Sequence, residues 1–126
     1  MKKSFTFENL KIAIPKRKSD SHKALNGRVL VIAGSKGLGG AGIMASEASL
    51  YSGAGLVTLH THESNVEASL IRNPEVMALG INKFLPISEN FNVILYGPGM
   101  QNDEWSNKML EPVSYTHLTL PTKRIV

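Results

Sequence analysis

Nine residues, Gly34-Ser35-Lys36-Gly37-Leu38-Gly39-Gly40-Ala41-Gly42, hold five of the chain's 11 glycines and follow directly on the apolar run Val29-Leu30-Val31-Ile32-Ala33. A backbone so nearly free of side chains takes positive φ angles and lets a ligand approach the main chain. Where a helix starts at its end, free N–H groups and the positive dipole end favour a phosphate or another anion. The chain repeats the arrangement once: Gly97-Pro98-Gly99 follows the apolar run Val93-Ile94-Leu95-Tyr96. In parallel α/β sheets ligands bind beyond the carboxyl ends of the strands, so two glycine-rich strand ends are expected to wall one crevice.

Other chemistries fit less well. Gly37-Leu38-Gly39-Gly40-Ala41-Gly42 matches the letters of the dinucleotide fingerprint G-x-G-x-x-G. Its first glycine stands three residues too late, and His60, Thr61 and His62 occupy the place where an acidic ribose ligand belongs. No Gly-Lys-Ser/Thr follows the glycines, which argues against a phosphate-binding P-loop. His60 and His62 share a face if they lie on a strand, yet only Glu63 stands near enough to join them, so no metal site is expected. The residues compose no Ser–His–Asp arrangement.

These loops need elements to hold them. The run 29–33 predicts a strand covered on both faces. Ala41, Met44, Ala45, Ala48 and Tyr51 keep helical spacing, with Gly53 placed to end the helix. Residues 56–59 predict a second strand. Ser64-Asn65-Val66-Glu67 reads as a capping box opening a short helix that Pro74 closes. Residues 76–79 and 93–96 predict two further strands. Strand–helix alternation with short links gives a parallel, layered α/β sheet with right-handed crossovers.

Composition narrows the class. Hydrophobic content of 42% with 19% charged residues suits one globular domain, and 126 residues is small for a complete nucleotide-using enzyme. No apolar run approaches the roughly 20 residues that cross a bilayer, and the basic start has no apolar core of a signal peptide, so no membrane partner is expected. The absence of cysteine excludes disulfides and thiolate metal sites and suits the cytoplasm. Nine of the 14 basic residues lie in the first 36 positions, and the triplet Lys16-Arg17-Lys18 has no aromatic residues interleaved, so a solvated basic leader over 1–27 is expected rather than a nucleic-acid site.

Seven segments together carry a resemblance: Ser21-His22-Lys23, the run from Gly27 to Ser35, Gly40-Ala41, Glu47-Ala48, Ser52-Gly53-Ala54-Gly55-Leu56-Val57, Asn73-Pro74-Glu75-Val76-Met77, and Gly97-Pro98-Gly99-Met100. In order and spacing they resemble the first half of the ADP- or ATP-dependent (S)-NAD(P)H-hydrate dehydratases. The resemblance implies a ribokinase-like three-layer α/β sandwich with a mostly parallel sheet, truncated after its first half. The implied reaction restores hydrated NADH or NADPH: the hydroxyl at C6 of the nicotinamide ring is phosphorylated and leaves as phosphate, assisted by the ring nitrogen. ADP (or ATP) and Mg2+ are the implied cofactors, and the full-length protein is implied to be a homo-oligomer. Ala41 and Gly99 are implied to contact the hydrated dinucleotide, with Lys23, Gly34, Ser35, Gly40 and Gly97 as neighbours of the site.

The sequence also departs from that family. Ala24 stands where glycine usually follows His-Lys. Neither the His-Pro-Gly-Glu segment nor the Gly-Thr-Gly-Asp motif that carries the family's catalytic aspartate occurs in these 126 residues. No catalytic residue is therefore expected here, and the chain is expected to be an inactive, weakly stable N-terminal segment spanning 28–111 of that domain. Two other readings stay open: another ribokinase-like small-molecule kinase of the thiazole or hydroxymethylpyrimidine type, and a non-catalytic dinucleotide-binding module. A two-activity protein with an upstream epimerase domain is disfavoured by the short leader.

The last residues break the pattern. Residues 113–122 are what the codons GTC TCT TAT ACA CAT CTG ACG CTG CCG ACG of a transposase adaptor used for sequencing libraries would encode. The expectation is that 112–126 are adaptor-derived. Without Lys123 and Arg124 the formal charge drops from +4 to +2, which weakens the nucleic-acid reading further.

Overall fold

The computed structural model describes residues 6, 8, 16–82 and 90–117, with only the backbone of Ala24 and residues 112–117. Much of the basic leader, including its apolar patch Leu10, Ile12 and Ile14, and residues 118–126 of the tail lie outside the described residues.

Four strands form one parallel sheet: β1 (Arg28–Ile32), β2 (Leu56–Thr61), β3 (Met77–Gly80) and β4 (Val93–Tyr96), in the order β3-β2-β1-β4. The apolar runs at 29–33 and 93–96 thus become the two adjoining strands, with Val29 opposite Val93 and Ile32 opposite Tyr96. β2 pairs on the other side of β1, Ile32 standing opposite His60. Three helices follow the strands, α1 (Gly40–Tyr51), α2 (Val66–Arg72) and α3 (Glu104–His117). Helix α3 runs across residue 112, the expected boundary of the native segment.

Alternation along β1 divides the core. Val31 and Ala33 pack with Val57 and Leu59 under Ile43, Ala45 and Leu50 of α1. Leu30 and Ile32 pack with Ile94 beneath Trp105 and Met109 of α3 on the opposite face. This explains why Val29–Ile32 of β1 holds no polar residue: both faces of the strand are covered there. The Arg72–Glu47 ion pair (2.8 Å) ties α2 to α1. The result is a helix–sheet–helix sandwich, as the α/β rhythm predicts.

Local chemistry sets the helix ends. Ser52 caps α1, and Gly53, at φ +106°, turns the chain out in a left-handed conformation. Gly53 N–H donates to Leu50 O (3.0 Å) and Ala54 N–H to Ser49 O (3.1 Å), the paired bonds of a Schellman end. The expected capping box at Ser64 does not form. His62 precedes a short 3-10 turn, Glu63–Asn65, and its Nδ1 accepts the Ser64 N–H (3.1 Å), while α2 begins after Asn65 without a side-chain cap. Helix α3, not among the elements expected from the sequence, turns Trp105 and Met109, four residues apart, onto the sheet. Its start is fixed by Asp103, whose carboxylate accepts the Ser106 N–H at 2.7 Å.

Candidate functional site

The strand order reverses between β1 and β4: the chain steps from β1 outward to β2 and β3, then returns to the other side of β1. Such a switch point opens a crevice at the carboxyl ends of the two central strands. Both glycine clusters lie there. After β1 the chain passes through Gly34 (φ +81°), and after β4 through Gly97 (φ +122°) and Gly99 (φ +66°).

The two loops are laced together. Gly97 N–H donates to Ile32 O (3.1 Å), Gly34 N–H to Pro98 O (2.9 Å) and Ser35 N–H to Gly99 O (3.0 Å). Parallel pairing therefore continues past the ends of the strands. Gly99 sits against the first loop so closely that a Cβ there would fall 2.6 Å from Leu38 O and 3.2 Å from the Ala41 Cβ. Ala41 and Gly99 are adjacent in space although 58 positions apart in sequence. By contrast a Cβ at Gly37, Gly40 or Gly97 would meet nothing within 4 Å, which leaves open main chain around the crevice. Gly39 precedes α1 with no side-chain cap and no acidic residue follows in the first turn, so the helix offers free N–H groups and a positive dipole end.

Polar side chains hold this geometry, and two of them, Asn65 and Thr61, are not among the site residues expected from the sequence. Asn65, 5% exposed, donates through Nδ2 to Gly34 O (3.0 Å), Ser35 O (3.0 Å) and Thr61 Oγ1 (3.1 Å). Buried Thr61 also donates to Gly34 O (3.1 Å). Asn65 also fills the space beneath Gly39, where a Cβ would lie 2.8 Å from its side chain. Ser35, 1% exposed, accepts the Gln101 N–H (3.0 Å) and shares a hydrogen bond with the Ser106 hydroxyl (3.0 Å). Ser35 is thus a bolt between the two loops and α3, with no surface of its own to offer a ligand.

Electrostatics at the crevice follow from these bonds. The Ser106 N–H and hydroxyl, then the Ser35 hydroxyl and His62, hold the Asp103 carboxyl below its ordinary value. Burial first, and Asp103 second, push the Tyr96 phenol up; its hydroxyl donates to Ser106 O (3.2 Å). His62 packs edge-on to Trp105, ring centres 6.2 Å apart. His60 points elsewhere along β2, and burial lowers its pKa. Among the described residues no three His, Cys, Asp or Glu side chains converge as a metal site.

Of the residues expected from the sequence, Gly34, Ser35, Gly40, Ala41, Gly97 and Gly99 are brought together. Lys23 is not among them. It opens a 3-10 turn, Lys23–Asn26, packed against Gly55 just before β2, where a Cβ on Gly55 would overlap the Lys23 carbonyl. The six residues of β2 separate this end of the sheet from the crevice by about 20 Å. Sequence order alone gives no hint of that distance.

Comparison with known proteins identifies the family and the fold. A profile of the NAD(P)H-hydrate dehydratase family matches residues 29–120. The ADP-dependent (S)-NAD(P)H-hydrate dehydratase of Staphylococcus aureus is 42% identical over 109 residues, covering 83% of this chain and 40% of its own length. The Listeria monocytogenes protein of the same name is 42% identical over 103 residues, 79% of this chain and 37% of its own. Among solved structures, a ribokinase-like superfamily protein of Enterococcus faecalis superposes with a TM-score of 0.73 at 37% identity, over 82% of this chain and 38% of that one. The ADP/ATP-dependent NAD(P)H-hydrate dehydratase of Bacillus subtilis, crystallised with ATP and Mg2+, gives 0.74 at 25% identity, over 87% and 41%. The chain thus spans about 40% of the length of the relatives it matches. With its parallel sheet, its switch-point crevice and a match across residues 29–120, the chain belongs to the NAD(P)H-hydrate dehydratase family.

Proposed function

We propose that this chain supplies the substrate-side wall of an enzyme that dehydrates (S)-NAD(P)H hydrate to NAD(P)H at the expense of ADP or ATP. The observation that carries the reading is the contact of Gly99 with Ala41 and Leu38 across the β1/β4 switch point. Ala41 and Gly99 form the floor on which the dinucleotide lies, and open main chain at Gly40 and Gly97 lets it approach closely. The uncapped start of α1 receives its phosphate charge. Gly34 and Ser35 fix the distance between the two loops rather than touching the ligand.

The described residues do not fit the nucleotide–metal half of such a reaction. They hold no converging carboxylates for Mg2+, and the sequence has no Gly-Thr-Gly-Asp. No phosphoryl-transfer step is assigned to them. Positioning is what this segment contributes, and positioning alone accelerates no reaction without its partner groups.

The test uses the chain as it stands. (S)-NADPH hydrate is titrated while the fluorescence of the single tryptophan, Trp105, is followed beside the crevice, and turnover is followed at 340 nm with ADP, ATP and Mg2+. Saturable binding that Gly99→Val abolishes, without turnover, is expected. A folded chain, by circular dichroism, that ignores the hydrate overturns the reading, and ADP-dependent turnover overturns the expectation of an inactive segment. We further propose that residues 112–126 are adaptor-derived; codons departing from the adaptor sequence overturn that.

A further inference from the structure

The opposite end of the sheet carries a second cavity, of about 610 Å³, that the dehydratase reading does not use. Lys23, the motif lysine separated from the crevice, lines it together with Arg17 and Arg72. Arg72 is neutralised there by Glu47, Nε to Oε1 at 2.8 Å. Arg17 and Lys23 have no carboxylate partner among the described residues. Arg17 is nonetheless held in place: one terminal nitrogen donates to Gly53 O at 2.8 Å, and its other N–H groups meet no acceptor among the described residues. Lys23 is anchored through its backbone, since its turn is pressed onto Gly55 at a spot that admits no side chain.

Arg17 and Asn26 also line an adjoining cavity of about 610 Å³ whose wall includes Lys16 and Lys18. The basic triplet of the leader therefore continues the same positive lining. Against Arg17 and Lys23 the first cavity sets one carboxylate without an ion-pair partner among the described residues, Glu75. A volume of this size suits a small molecule. Two cations lining one cavity suit an anion with more than one phosphate.

We infer that the amino-terminal edge of the sheet is a second ligand site, which takes a small oligophosphate between Lys23 and Arg17, about 20 Å from the dinucleotide crevice. The site stands independently of the dehydratase reading, because it shares no residue with the crevice.

Pyrophosphate, titrated into the 15N-labelled chain at constant ionic strength, provides the test. Saturable shifts of the Asn26, Gly53, Gly55 and Asn73 amides are expected, with Gly34 and Gly99 unmoved. Lys23→Gln, an exposed change that leaves the fold intact, is expected to weaken binding about tenfold, the effect of losing one charge-assisted contact. Glu75→Gln is expected to tighten it. Shifts that sodium chloride reproduces, shifts confined to the crevice, or an unchanged affinity in both variants overturn the proposal. Tighter binding of a short RNA than of pyrophosphate at the same resonances overturns the small-ligand assignment.

Discussion

Gly99 faces Ala41 at a distance that leaves no room for a side chain. A Cβ placed on Gly99 lies 3.2 Å from the Ala41 Cβ and 2.6 Å from Leu38 O, and the backbone there holds φ +66°. Two independent constraints, conformation and space, thus select glycine at this position. Gly97 shares only the first: its φ is +122°, but a Cβ would meet open space. The pair separates backbone strain from steric packing within one loop.

Gly97→Ala should therefore cost only strain, about 1–2 kcal/mol, and leave the loop contact intact. Gly99→Ala should cost more, roughly 2–4 kcal/mol, because a left-handed alanine must also push Leu38 away. Urea denaturation of the two variants checks the order. Equal losses would show that loop contact adds nothing.

Asn65 serves three acceptors with one amide nitrogen, and two of them are main-chain carbonyls of the glycine loop. Asn65→Ala leaves those buried groups short of donors, at roughly 1–3 kcal/mol for the set. Asn65→Asp should be worse, since a carboxylate facing Gly34 O and Ser35 O is repelled and desolvated. Thermal melts at neutral pH give the ranking. An aspartate variant as stable as wild type would show that the network does not hold the loop.

How far the sequence discloses this arrangement depends on the range of the interaction. The runs at 29–33 and 93–96 announce parallel strands, the first because both its faces are covered, and the glycine loops announce themselves by composition. Gly53 marks the end of α1 because a Schellman turn is a local event. Ser64 misleads for the opposite reason. Its pattern is a sound local cap, but His62 takes the Ser64 N–H while Asn65 is drawn inward to the Gly34 loop by contacts about 30 positions away. Lys23 fails likewise, since nothing local reveals which end of β2 its turn packs against. Helix α3 was legible in Asp103 and Ser106, three residues apart at N-cap spacing, and in Trp105 and Met109, four residues apart on its buried face.

Ser35 offers a test of how the two loops are joined. Its hydroxyl accepts from Gln101 N and shares a bond with Ser106, both across the gap between the β1 and β4 loops. Ser35→Ala strands a main-chain donor and a buried hydroxyl, for a loss of about 1–3 kcal/mol. Ser35→Cys keeps the volume but bonds weakly and should fall between. Amide exchange at Gln101 is the sharper readout: faster exchange in the alanine variant is expected. Unchanged protection would mean that the Ser35 hydroxyl does not bind the second loop.

His60 should impose a pH dependence of predictable sign. Burial disfavours its charged form, so its pKa in the folded chain lies below the ordinary value of 6.5. The unfolded chain takes up a proton first as pH falls through about 6.5, when the folded chain still does not. Stability from the neutral imidazole is thus present above that value and is lost as pH falls toward the folded pKa. The Asp103 carboxyl, held below its ordinary value, stays ionised in this window and cannot produce the effect. Melting temperatures should drop between pH 7.5 and 5.5, and His60→Gln should flatten that slope whatever it does to stability at pH 7.5. An unchanged slope in the variant would assign the titration to another histidine.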